Sequence, residues 1–74
     1  MAEYKIHIWV DGCVALNMNI SAGSVHKYQH ILRVLIPRLR DDNATRTITG
    51  EIIRWDTVPV GDEVEWDSEV IFSI

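Results

Sequence analysis

Glu65, Asp67 and Glu69 occupy alternate positions, a spacing at which a β-strand projects all three carboxylates from one face about 6.6–6.8 Å apart. Asp62 and Glu63 carry the row into the preceding loop, and Glu51 and Asp56 come from the segment before it. Paired carboxylates can act as general acid and base, but a chain of 74 residues leaves little room for a water-excluding cleft. A row of negative charge suits a different task, docking on a basic groove of a partner protein. If that groove ordinarily holds nucleic acid, the row becomes a mimic of the phosphate backbone. The competing reading is a solvated outer face that keeps an edge strand from aggregating.

Other residues offer less. His26 and His30 stand four apart, the spacing at which two imidazoles on a helix can share a metal. Zinc takes three or four protein ligands, no His-Glu-x-x-His motif is present, and Lys27 adds positive charge beside the pair. No metal or other cofactor is expected. Cys13 with His7 is the one conceivable nucleophile–base pair, and nothing near Cys13 in sequence would lower its pKa. The chain is read as non-enzymatic. Lys27, Arg33, Arg38, Arg40 and Arg46 could together grip a phosphate backbone, which makes direct nucleic-acid binding the main alternative. A pI near 5.1 and the lack of a recognition motif weigh against it.

The elements that must position these residues are set by hydrophobic period. Tyr4, Ile6, Ile8 and Val10 alternate with Lys5, His7 and Trp9, and Val14, Leu16, Met18 and Ile20 alternate with Cys13, Ala15, Asn17 and Asn19. Asp11-Gly12 between them signals a hairpin. A two-residue loop would pair Val10 with Cys13 and set the two apolar rows on opposite faces, which a single buried face forbids. The expectation is therefore a three-residue loop, Val10 to Gly12, pairing Trp9 with Cys13, Ile8 with Val14 and Ile6 with Leu16. Trp9, His7, Cys13 and Ala15 would then share the face away from the core, with Trp9 as an interface anchor for a protein partner or a second copy.

Beyond Ser21-Ala22-Gly23-Ser24, where either serine could cap, the period becomes helical. Val25, Tyr28, Ile31, Leu32, Leu35, Ile36 and Leu39 share an arc, and Val34 falls outside it. Pro37 should kink or end the helix. Asp41-Asp42-Asn43 reads as the exit turn. Two strands come next, roughly residues 45–56 and 64–73, joined by a loop around Val58-Pro59-Val60-Gly61, with a bulge expected near Gly50–Ile53. The last strand should set Val64, Trp66, Ser68, Val70, Phe72 and Ile74 against Glu65, Asp67 and Glu69. The fold class is α+β: one small domain over residues 1–74, β-β-α-β-β, a four-stranded antiparallel sheet with a helix packed on one face.

Charge is distributed unevenly over this plan. Residues 51–74 hold seven acids against Arg54, a balance of −6, and residues 1–50 hold six bases against four acids, a balance of +2; together they give the net −4. A lone cysteine, no signal peptide and no apolar run of about 20 residues point to a cytoplasmic protein without a membrane span. These features together suggest a protein-binding module, an inhibitor or modulator. Its contact residues would be Glu51, Asp56, Asp62, Glu63, Glu65, Asp67, Glu69 and Trp9. Size and charge are those of phage-encoded inhibitors of CRISPR or restriction systems, which would place it in a bacterial host cytoplasm. The alternative is a small homodimer that uses the basic helix face on nucleic acid.

Overall fold

The alternating residues of the N-terminal segment form a hairpin in the computed structural model, which describes residues 2–74. Strand β1 is Glu3–Val10 and β2 is Cys13–Ile20; a 3-10 turn at Ala22–Ser24 leads into helix α1, Val25–Asp42; β3 is Ile48–Val60 and β4 is Glu63–Ser73. The strands form one antiparallel sheet in the order β2-β1-β3-β4. The β-β-α-β-β plan read from hydrophobic period is the plan the chain adopts.

One face of this sheet meets the helix. Ile6 and Ile8 of β1, Ile48 and Ile52 of β3, and Leu32 and Ile36 of α1 are buried together. Each such side chain contributes about 1.5–3 kcal/mol. Val10, Met18, Ile20, Tyr28, Leu39, Ile71, Phe72 and Ile74 pack around them. The helix comes close to β3 because residue 50 has no side chain: a Cβ on Gly50 would lie 3.0 and 3.1 Å from side-chain atoms of Ile36. Gly50 also exchanges backbone hydrogen bonds with Ile74, at 3.0 and 2.8 Å, which ties the end of the chain to the sheet.

The first hairpin corrects the expected register. Its loop has two residues, Asp11 and Gly12, at φ +52° and +82°, the left-handed pair of a type I′ turn. Val10 pairs with Cys13 and Trp9 with Val14, after which the register shifts and Ile8 pairs with Leu16 and Ile6 with Met18. Ala15 is the extra residue. This bulge returns Leu16, Met18 and Ile20 to the helix face, and so does the work that the period alone assigns to a longer loop. It also separates the expected cluster: Cys13 shares its face with Val10, while His7 and Trp9 lie on the opposite one.

A second bulge falls where the pattern of β3 is irregular, but in its partner strand. Ile52 pairs with Phe72 and Ile53 with Val70, so Ile71 is the extra residue and β3 itself alternates without interruption. The shift carries Phe72 and Ile74 to the helix side, away from Val64, Trp66 and Val70, with which simple alternation groups them.

Pro37 neither ends nor replaces the helix, which continues to Asp42. Proline removes one backbone hydrogen bond, and contacts on both sides of it hold the last turn. Ile36 is fully buried and Leu39 packs on the core. Arg40 Nε donates to the Ile48 carbonyl at 2.8 Å, and the Asn43 side-chain amide donates to the Leu39 carbonyl at 2.9 Å. At the other end Ser21 and Ser24 do occupy cap positions, but their hydroxyls bond one another at 2.8 Å instead of the helix backbone.

Strand β1 ends opposite Trp55, yet β3 and β4 continue together to Val60 and Glu63. The result is a two-stranded arm that extends past the helix. It stretches the molecule to 49 × 25 × 15 Å, with a radius of gyration of 14.3 Å where a compact chain of this length would have about 11 Å. The turn at its tip is Gly61-Asp62, with Gly61 at φ +62°, and Pro59 lies within β3 and not in a loop. Ladder bonds alternate outward from the Val60–Glu63 pair, so Pro59, opposite Val64, has its nitrogen on the open edge where no partner strand needs a donor. A proline there also discourages pairing by a foreign strand.

Candidate functional site: the two faces of the arm

The arm separates its residues by chemistry. Continuing the alternation from Ile52, the helix-side face carries Arg54, Asp56, Val58 and Val60 from β3, opposite Glu69, Asp67, Glu65 and Glu63 respectively. Five acids against one arginine give this face a local charge of −4. The far face carries Ile53, Trp55, Thr57 and Pro59 opposite Val70, Ser68, Trp66 and Val64, with no charged residue among these eight.

Glu63, Glu65, Asp67 and Glu69 are all exposed. At the base of the row, Arg54 approaches Glu69 at 3.6 Å, an exposed ion pair of small energetic weight. Farther out, Asp56 stands directly opposite Asp67, a like-charge pairing that costs on the order of 0.2–1 kcal/mol. Asp56 also accepts a 2.9 Å hydrogen bond from the Thr57 backbone N–H. Val58 and Val60, both exposed, lie among the carboxylates and supply apolar points that the row of charge alone lacks.

Two of the residues read as contacts lie elsewhere. Glu51 sits on the face away from the helix, where its Oε1 accepts a 2.9 Å hydrogen bond from Trp9 Nε1 and lies 3.4 Å from His7 Nδ1. The His7 ring meets Trp9 edge-on at 6.0 Å. Glu51 and Trp9 are thus partners of each other and belong to neither the acidic row nor the arm. Asp62 remains with the arm, at its tip. The residues that sequence pattern missed are Val58 and Val60, because Pro59 between them reads as a turn.

The basic residues of the rival reading are scattered. Arg33 stacks over Phe72 at 5.3 Å, Arg40 holds the Ile48 carbonyl, and Arg46 binds Asp11 at 2.7 Å. Lys27 lies over Tyr28 at 6.0 Å, and Arg38 flanks a shallow groove with His30, Ile31, Val34 and Leu35. On the helical wheel Arg33 and Arg40 fall on one side of the core-facing arc and Lys27 and Arg38 on the other. They do not form a single stripe.

Asp11 links the first turn to the segment entering β3. Its backbone N–H donates to the Thr47 carbonyl at 2.8 Å, and its carboxylate accepts from the Thr47 N–H at 2.9 Å and from Arg46. The backbone bond from Thr47, then Arg46, hold the Asp11 carboxyl below the usual aspartate range.

The His26 and His30 rings are 5.8 Å apart, and no group of three metal-ligating His, Cys, Asp or Glu side chains forms among the described residues. Cys13 and His7, on opposite faces of the sheet, do not make a nucleophile–base pair. No helix among the described residues is long and apolar enough to cross a membrane. No family model matches the chain, and neither a curated protein nor a solved structure shows significant similarity to it.

Proposed function

We propose that the chain is a non-enzymatic protein-binding module whose arm docks, through its acidic face, on a basic surface of a partner protein. One observation carries this reading. Asp56, Glu63, Glu65, Asp67 and Glu69 line one face of an arm that the helix does not cover, with Val58 and Val60 among them. Charge of one sign steers encounter and sets orientation, and apolar anchors among the charges give a docked state its lifetime. A two-stranded arm also fixes the spacing of its carboxylates, so little backbone entropy is lost on binding.

A basic surface that accepts a row of four carboxylates with a fifth, Asp56, beside it is the kind that accepts a phosphate backbone. The partner class inferred is a nucleic-acid-binding protein, and the effect inferred is inhibition by occupying its nucleic-acid site, in the manner of inhibitors that phages direct at CRISPR or restriction systems in a bacterial cytoplasm. The test is capture from bacterial lysate on immobilised protein, with duplex DNA added to the bound fraction. A protein that binds at low salt and is released by DNA or by high salt is the expected result. Capture that neither DNA nor salt disturbs would exclude mimicry.

A further inference from the structure

No described element covers the sheet face turned away from the helix. Besides Ile53, Trp55, Thr57, Pro59, Val64, Trp66 and Val70 it includes Val14, Lys5, His7 and Trp9, so all three tryptophans of the chain lie on it. Trp66 is 60% exposed, Val64 63%, Val70 53% and Val14 46%. Trp55 meets Trp66 edge-on at 6.4 Å and has Lys5 over its ring at 5.9 Å.

Area and charge on this face both point to the same occupant. The chain presents 5275 Å² of accessible surface, where a globular monomer of 8.5 kDa would present about 4650 Å². That excess, about 620 Å², comes with the elongated shape and the overhanging arm, whose far face is part of this surface; each partner in a stable complex buries roughly 800 Å². The open face projects about 650 Å², taking strands of 8, 8, 13 and 11 residues at about 3.4 Å per residue and 4.8 Å per strand. A second copy would find little charge to oppose it here: the face carries Glu3, Lys5 and Glu51 with His7, and Glu51 is already hydrogen-bonded to Trp9. On the acidic face of the arm, by contrast, two copies would bring five carboxylates against five.

We infer that this face is a homodimer interface, in which two sheets pack through their tryptophan-bearing surfaces about a two-fold axis. Aligned sheets pack about 10 Å apart, with the inner side chains interdigitated. Such a dimer leaves both helices and both acidic faces turned outward, so it is independent of what the acidic face binds.

Sedimentation equilibrium of the full chain from 1 to 200 µM, with circular dichroism as the control for folding, tests it. The wild type should sediment as a dimer. Trp66→Lys should raise the dimer dissociation constant at least 100-fold with unchanged dichroism, and Val34→Lys on the outer side of the helix should leave it within threefold. If Trp66→Lys does not fold, Val64→Lys, nearer the tip of the arm, replaces it. A wild type that is monomeric at 200 µM, or a dimer unaffected by the arm substitution, overturns the inference. Reversal of Glu65, Asp67 and Glu69 should leave the dimer intact, which separates this test from that of the acidic face.

Discussion

Two single positions determine how the helix and the first turn are held, and each gives a prediction. Gly50 is required by contact, since any Cβ there presses on the buried Ile36. Gly50→Val should lower unfolding free energy by about 1–3 kcal/mol, measured by urea denaturation. That need is invisible in sequence, where Gly50 looks like a break in a strand. Asp11 is legible as a turn residue, but not as the acceptor for Thr47 and Arg46, which lie far away in the chain. Because its folded pKa is lowered, its contribution is present above the unfolded value near 3.8 and is lost as pH falls through the lower folded value. Asparagine tolerates the same left-handed backbone but cannot bear the charge. The gap in urea midpoint between wild type and Asp11→Asn should therefore be largest near neutral pH and should close below about pH 4.

At the scale of elements, strand and helix identity can be read from period, and the errors come where one residue changes the phase. Ala15 and Ile71 each reverse the faces of the residues beyond them, and no residue type announces a bulge of this kind. Without the second bulge, Phe72 would share the face of Trp66; with it, Phe72 packs on the core and receives Arg33. The two prolines mislead in the same way, since each breaks a rule that tertiary contacts or an open edge can override. Pro37 is exposed within a continuous helix, so the missing hydrogen bond has no compensating role in the core. Pro37→Ala should raise the unfolding free energy by about 1–3 kcal/mol, read as a higher thermal midpoint. The like-charge pair across the arm predicts that Asp67→Asn is neutral to stabilising, by up to about 1 kcal/mol in the same assay.

For the whole molecule, the charge imbalance between the two parts of the chain is legible from composition, and alternation is enough to align Glu65, Asp67 and Glu69. Sequence does not show that the last hairpin outruns the rest of the sheet, because strand ends depend on where neighbouring strands stop. That overhang leaves the arm with one acidic and one apolar face, both open to solvent. The direct test of the proposed function compares wild type with Glu65→Lys, Asp67→Lys and Glu69→Lys combined, each checked for fold by circular dichroism. Binding to a partner captured by the wild type is then titrated across salt concentration. The predicted result is wild-type affinity that falls steeply with salt and a folded triple variant that does not bind at any salt concentration. A folded triple variant that binds as tightly as wild type would contradict it.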